Sequence, residues 1–383
     1  MLHRVLSAPE MPPLRIFADR AIRARVRGGV GAILPGRYRW LWKAPTTSRV
    51  PRPLQWLFGC ANLTSAAIVG VRAARVCRTE KAGWVLSVVD SGISQIAGAI
   101  AARRAGLPHV LWVLDLWEEN TYPSFDRRIA RWLERRLWRG AAAIVVHSEE
   151  AAEHYAAKHC VQCQVLRTPI VDPGAAPART AAGSPAEIVC AGALYWAQAD
   201  AVSRLERATA RIGSSVVLTV LGDHEGLITP APGAHHVERD VPDGRFRDRL
   251  ARADLLFLGL SFHTSYPDIV RTAAPARFPE YLAAGVPMIV HAPAGSHVAR
   301  RASGLDLARV VDQPSDEALV DAIQEVLGDP EAAARRVMRA REGALAYDHR
   351  LVVDELIQTL ARISGSASFP APPGRTFGGA GTR

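Results

Sequence analysis

The sequence predicts an α/β protein made of two doubly wound, parallel-sheet domains. Three observations carry that expectation. Short apolar runs of strand length alternate with helical patterns of ten or more residues from Trp84 onward. Residues 172–186 lack periodicity, are rich in Pro, Gly and Ala, and split the alternation into two similar halves. A chain of 383 residues is long for one core and comfortable for two. The expected layout is an amino-terminal domain over 1–171 and a linker over 172–186. A second domain follows over 187–349, then a helix crossing back over 350–364 and a disordered tail over 365–383.

In chain order, the first 83 residues are the least legible. Leu14 to Val26, with Arg27 directly after it, carries Arg15, Arg20, Arg23 and Arg25 among Leu14, Phe17, Ala21 and Ile22, a basic amphipathic helix pattern. A Trp-rich loop with Trp40 and Trp42 follows, closed by Pro51 and Pro53. Residues 53–71 hold no charge, but Gln55, Asn62, Thr64 and Ser65 interrupt them, so a buried helix is expected there rather than a membrane span. From Trp84 the pattern is clean. Val85–Val89 reads as a strand leading into Asp90-Ser91-Gly92 and a helix through Ala105. His109–Leu114 is a second strand, ending at Asp115, and Ala142–Val146 a third, ending at His147-Ser148. Ligands of parallel sheets gather at the carboxyl ends of the strands, so these three strand ends form one candidate rim. No strand with a glycine-rich turn is evident before residue 84, which suggests an incomplete first sheet.

The second half repeats the scheme. Glu187–Ala191 leads into Gly192-Ala193-Leu194-Tyr195 and a helix to Ile212, and Ser215–Leu221 ends in Gly222-Asp223. Strands at His236–Val241, Asp254–Leu258, Met288–His291 and Leu307–Val311 follow, then helices at 315–328, 330–346 and 350–364. The segment Arg277-Phe278-Pro279-Glu280-Tyr281-Leu282-Ala283-Ala284-Gly285-Val286-Pro287 reads as a short helix, a glycine stop and a proline that prevents its resumption. Phe278, Tyr281 and Leu282 share its apolar face, while Glu280 sits on the polar side of its first turn.

This segment closely resembles the donor-site segment of GT-B glycosyltransferases, the large retaining, family 4-like group that uses nucleotide-sugars. The resemblance extends from about Val85 to Ser364 and implies the GT-B fold, with the two domains facing across a cleft. Glu280 matches the second glutamate of the family's Glu–seven residues–Glu motif, which implies a ribose contact, and Thr272 stands where the first glutamate would be. The resemblance further implies a nucleotide diphosphate against Gly192, Ala193, Gly222, Arg277, Pro279, Glu280 and Tyr281. Ala193 and Gln198 replace the arginine and lysine that hold the diphosphate in the family, and Arg277 is the expected substitute. Asp115 is the expected catalytic residue on the acceptor side, with Glu118, Glu119 and His147 as lesser candidates. A helix N-cap is the plainer role for Asp115. Retention of anomeric configuration is implied by the resemblance alone.

No Asp-x-Asp occurs, so no metal site and no cofactor are expected, the nucleotide-sugar being a co-substrate. Cys160-x-x-Cys163 is a single pair, read as capping a helix-to-strand turn rather than binding metal. The absence of Gly-x-Ser-x-Gly, Gly-x-x-x-x-Gly-Lys-Ser/Thr and His-Glu-x-x-His argues against hydrolase, P-loop and zinc-protease readings. Net charge is +13 over residues 1–180 and −3 over 181–383. No nucleic-acid motif accompanies the basic half. A peripheral contact with the inner membrane face, or a lipid-diphosphate-linked acceptor as in polysaccharide assembly, is therefore expected, and nucleic acid is not. Five cysteines without a secretory signal point to the cytoplasm. Two rivals to sugar transfer stand beside it: a non-catalytic GT-B protein binding nucleotide-sugar or a partner enzyme, and a nucleotide-sugar epimerase.

Overall fold

The computed structural model describes residues 2–19, 34–41, 50–89, 93–120, 125–171, 173, 185–192, 194–222, 235–238 and 243–365. The chain opens with α1 (Leu2–Leu6), β1 (Arg15–Asp19), β2 (Arg37–Leu41) and the long helix α2 (Gln55–Thr79). It continues through β3 (Val85–Val89), α3 (Ile93–Ala105), β4 (His109–Val113), α4 (Trp117–Asn120), α5 (Phe125–Arg139), β5 (Ala143–Val146), α6 (Glu149–His159) and β6 (Gln164–Val165). Strands β3 to β6 form a parallel sheet in chain order. Right-handed crossovers between successive parallel strands place α3, α5 and α6 on one face. The strand periodicity of two then divides the core. Leu111, Val113, Ile144 and Val146 point toward Trp117, Trp138 and Tyr155. Val110, Trp112 and Val145 point the other way, onto Val5 and Leu6 of α1 and the last helix of the chain.

The second domain runs β7 (Ala186–Ala191), α7 (Ala199–Ile212), β8 (Val216–Leu221), β9 (His235–Glu238), α8 (Asp243–Ala251), β10 (Leu255–Gly259), α9 (Pro267–Thr272), α10 (Arg277–Ala283), β11 (Met288–His291), α11 (His297–Gly304), β12 (Arg309–Val311), α12 (Asp316–Gly328) and α13 (Pro330–Ala344). Its six parallel strands lie in the order β12-β11-β10-β7-β8-β9, the arrangement of a dinucleotide-type fold with its switch point between β7 and β10. β8 and β10 are buried along their whole lengths, as strands covered by helices on both faces must be. Finally α14 (His349–Ser364) crosses back, placing Val352, Val353, Leu356 and Leu360 in the core of the first domain.

Four expectations are corrected. The basic pattern from Leu14 is not helical at its start: Arg15–Asp19 is a strand pairing in parallel with Arg37–Leu41. Its Ile16 and Phe17 suit a pleated ribbon, and Arg15 is drawn into an ion pair with Glu80. Trp40 consequently lies on a strand and not in a loop, and strands do precede residue 84, although in a ribbon separate from the main sheet. Residues 55–71 are helical, but only one side of α2 is buried: Trp56 remains 60% exposed. The strand expected at His236–Val241 is present at His235–Glu238, and residues 239–242 lie outside the described residues. Asp90-Ser91-Gly92, Asp223 and residues 366–383 lie outside the described residues.

A buried ion cluster ties α4, α5 and α6 together. Glu134 is fully buried, and its carboxylate meets Lys158 Nζ at 2.6 Å and His159 Nε2 at 2.8 Å. The same ammonium lies 2.6 Å from Glu119 and 3.1 Å from Glu118. Burial would raise the Glu119 carboxyl, but hydrogen bonds from His154 and Lys158 overcome it and hold the group down to about 2. Burial likewise opposes the Lys158 charge, while Glu134 and Glu119 more than compensate and raise its pKa. A carboxyl depressed on folding stabilises above its unfolded value of 4.5, and that contribution fades as pH falls toward 2. Thermal stability is therefore expected to decline over that acid window. Lys158→Met, which leaves Glu134 buried with less compensation, is expected to cost roughly 3 kcal/mol in urea unfolding.

Candidate functional site

The second-domain half of the site is built on two glycine turns. Gly192 ends β7 with φ +118° and Gly222 ends β8 with φ +125°, backbone that side chains with a Cβ rarely adopt. The turns touch: a Cβ on Gly222 would lie 2.6 Å from the Gly192 carbonyl oxygen. Above them sits the start of α10. The Arg277 side chain passes 3.4 Å from the position of a Cβ on Gly192, and its guanidinium stacks 4.0 Å over the Phe246 ring. Gly285, with φ +74°, follows the helix as its apolar pattern and proline predict. Phe278, Pro279, Tyr281 and Leu282 are buried, and the Tyr281 hydroxyl accepts a 2.6 Å hydrogen bond from the Ala191 N–H. Tyr281 thus anchors α10 to the end of β7 and leaves the polar face of the helix to the cleft. Ala193 lies outside the described residues.

Glu280 is clasped between two arginines. Its Oε2 accepts from Arg277 Nη1 at 2.5 Å, and its Oε1 from Arg4 Nη2 at 2.8 Å. Arg4 comes from α1, and its other terminal nitrogen donates to the Pro169 carbonyl at 3.1 Å, where the chain leaves the first domain. The Arg4 carbonyl in turn accepts from His349 Nε2 at the start of α14. Two guanidinium groups on one carboxylate leave a net positive charge at the switch point of the sheet. Nothing in the residues around position 4 signalled this role. Thr272, in the place of the missing glutamate, turns its hydroxyl back onto the Asp268 carbonyl at 2.8 Å, and its own carbonyl accepts from Ser148 at 2.7 Å.

The first-domain half is the rim at the ends of β4 and β5. Asp115 is exposed at the end of β4, and desolvation by the surrounding protein raises its carboxyl above the ordinary value. It makes no hydrogen bond or ion pair with a described residue. It does not cap α4: the N–H groups of Trp117 and Glu118 go to the Tyr155 hydroxyl and to Glu134 instead. The lesser candidates are engaged elsewhere. Glu118 meets Arg131 at 2.7 Å, and Glu119 meets Lys158 and His154. His147 accepts from Trp112 Nε1 at 3.2 Å and donates from Nδ1 to the Leu166 carbonyl at 3.0 Å, while burial lowers its pKa to about 4. It is a neutral imidazole with both nitrogens committed. Cys160 is the left-handed C-cap of α6, as the turn reading expects.

The two rims meet across polar contacts. Besides Ser148 to Thr272, Arg271 donates to His154 Nδ1 at 3.2 Å, and the other ring nitrogen of His154 reaches Glu119 at 3.2 Å. His297 Nδ1 of α11 lies 2.6 Å from the buried Glu150 of α6, with Glu149 at 3.5 Å. These three side chains have the spacing of a cation site, but Arg167 and Arg300 already pair with the two carboxylates, which makes them an interdomain ion cluster. A cavity of about 580 Å³ lies elsewhere, lined by Leu6, Pro13, Arg15, Arg37 and Glu80. It opens at the start of β1 and β2, the wrong end of parallel strands for a ligand of this fold.

Residues 13–169 match the family model described as a glycosyl transferase 4-like domain. No curated protein matches the chain in sequence. Among solved structures, the chain is similar to a sucrose-phosphate synthase from Thermosynechococcus elongatus, with 13% identity and a TM-score of 0.63 over 86% of this chain and 84% of that one. It is also similar to HepE from Anabaena, solved with UDP and glucose, at 15% identity and a TM-score of 0.59 over 89% and 88%. A putative UDP-N-acetylglucosamine 2-epimerase from Listeria monocytogenes shares 13% identity, with a TM-score of 0.56 over 97% and 94%. At these identities the likeness is one of fold. The chain therefore has the GT-B fold, two Rossmann-like domains face to face, and its residues 13–169 are similar to a glycosyl transferase 4-like domain.

Proposed function

We propose that this protein transfers a sugar from a nucleotide-sugar donor to an acceptor hydroxyl, with a lipid-diphosphate-linked glycan precursor as the acceptor class. The observation that carries the reading is the pairing of unlike rims. One offers an exposed carboxylate, Asp115, which meets no partner among the described residues; the other offers two glycine turns beside Arg277 and Glu280. In the proposed complex the donor diphosphate lies along the Gly192 and Gly222 turns, where no Cβ obstructs the backbone, with Arg277 as its cation. Glu280 takes a ribose hydroxyl once its arginine partners turn to phosphate. Preorganised N–H groups and the guanidinium stabilise the departing diphosphate. Asp115 orients the acceptor hydroxyl and accepts its proton, a role that suits a carboxyl whose pKa is raised. Departure of the diphosphate on the face of attack, with retention and without metal, belongs to the proposal. So does a reducing, cytoplasmic setting, in which all five cysteines stay unpaired.

A non-catalytic binding role is the second reading, favoured by the doubly paired Glu280 and the inward-turned Thr272 hydroxyl. Isothermal titration of UDP, GDP, dTDP and ADP without added metal, followed by transfer assays, separates the two. Saturable binding of one nucleotide is expected, weakened about tenfold by Glu280→Ala, the loss of roughly one charge-assisted hydrogen bond. Asp115→Asn is expected to lower kcat by about a hundredfold or more with donor affinity unchanged. The acid limb of the wild-type kcat/KM profile is expected above the ordinary carboxylate range, because the Asp115 proton is lost at a higher pH than usual. Unaltered turnover in Asp115→Asn removes the assignment. Binding without turnover of any acceptor favours the second reading, and release of an altered free sugar identifies an epimerase.

A further inference from the structure

One surface of the first domain is used by neither half of the cleft. Helix α2 is clamped to α3 along one side only, where contact is so close that a Cβ on Gly70 would meet the Ala97 carbonyl oxygen and Ile100 at 2.7 Å. Ala66 and Val69 share that seam with Ala97. The other side of α2 is open. Leu54, Trp56, Leu57 and Ile68 are 46%, 60%, 50% and 48% exposed, and only 33% of the most apolar window between Arg52 and Thr79 is buried. Along the open side, Leu57, Cys60, Thr64 and Ile68 are followed by Arg72, Arg75 and Arg78, all exposed. An uncharged stripe thus ends in a cationic one.

Helix α5 touches α2 on the same face of the sheet. Its inner side contributes Ala130 and Trp138 to the core, with Leu133 and Leu137 packed beside them. Its outer side is Arg128, Arg131, Trp132, Arg135, Arg136 and Arg139, a single stripe at helical spacing. Trp132 is 63% exposed, with the Arg136 guanidinium 4.8 Å from its ring centroid. Arg131 is spent on Glu118 and Arg139 on the His159 carbonyl. Arg128 and Arg135 meet no acidic group among the described residues. A large apolar side chain on the surface is ordinary when it stands alone, but several along the open side of one helix, next to a helix whose outer stripe carries unneutralised charge, are not.

We propose that the α2–α5 face docks the protein on an anionic membrane surface, with Trp56, Leu57 and Trp132 at the headgroup boundary and the α5 arginines on lipid phosphates. The charge pattern selects this occupant. A second copy would bring arginine stripe against arginine stripe. Nucleic acid would leave Leu54, Leu57 and Ile68 without a partner, whereas a lipid boundary accepts apolar side chains and cations together. Tryptophan is also the side chain that most favours such a boundary. The inference stands on this surface alone and does not depend on sugar transfer.

The test is co-sedimentation of the full chain with phosphatidylcholine vesicles, with and without phosphatidylglycerol, read together with tryptophan fluorescence. Association is expected only with the phosphatidylglycerol vesicles, with a blue-shifted emission, and it weakens as salt rises. Arg128→Gln/Arg135→Gln is expected to lower the partition coefficient roughly thirtyfold, on the basis of the attraction per basic side chain near such a surface. Trp56→Ser/Leu57→Ser is expected to diminish the blue shift, leaving the share that Trp132 contributes. These four side chains are exposed, so thermal melting at the wild-type midpoint confirms that the variants fold. Equal partitioning onto both kinds of vesicle, no partitioning, or binding unchanged in both variants would overturn the proposal. So would a concentration-dependent dimer that Trp56→Ser/Leu57→Ser dissolves.

Discussion

The arrangement of the two domains rests on one short double crossing. The chain leaves the first domain at Ile170 and returns to it at Asp348, and the two passages run side by side. The Ile170 N–H donates to the Tyr347 carbonyl at 2.8 Å, and the His349 N–H donates to the Ile170 carbonyl at 3.0 Å. Ile170 and Tyr347 are both buried in the second-domain core. With this pair as pivot, the carboxyl ends of both parallel sheets are held toward each other. That opposition is what turns two ordinary nucleotide-type folds into one cleft. The contacts farther out, Ser148 on Thr272 and His297 on Glu150, are polar and local. An interface of that kind permits relative domain motion in a way that a continuous apolar core does not.

Charge is distributed to match. Among the described residues of the first domain, the carboxylates of the ion cluster are answered, Glu134 by Lys158 and His159, Glu119 by Lys158 and His154. Asp115 meets no such partner among the described residues, while the surrounding protein raises its carboxyl, which singles it out as a functional-site candidate. Across the cleft the imbalance is reversed, with two arginines on Glu280. Because Arg4 also holds Pro169 and His349, it touches the first domain, the donor-side helix and the crossing helix at once. A ligand that takes Glu280 would compete directly with that three-way contact.

Much of this was legible in the sequence, and the reasons are local. The second domain is legible strand by strand because its buried strands, such as Val216–Leu221 and Leu255–Gly259, are short apolar runs bounded by turn residues. The helix stop at Gly285 and the turns at Gly192 and Gly222 follow from what glycine alone tolerates. The first 83 residues resisted for the opposite reason. Arg15–Asp19 carries a charge pattern that suits a helix face, and its strand identity comes from pairing with Arg37–Leu41, a partner no local signal announces. On the candidate site, sequence order places Asp115 on the rim and ranks it above Glu118 and Glu119, but it gives no physical ground for the difference. Their difference lies in Lys158 and Arg131, which only the folded chain brings near. The contact of Arg4 with Glu280, between residues far apart in the chain, was beyond any spacing argument.

The measurement that bears most directly on the central claim is hydrogen–deuterium exchange of the full chain with and without the nucleoside diphosphate that binds. The account predicts protection at the Gly192 and Gly222 turns and over Arg277–Ala283, together with faster exchange in Leu2–Leu6 as Arg4 gives up Glu280. Protection confined to the cavity lined by Leu6, Arg15, Arg37 and Glu80, with α10 unchanged, would contradict it.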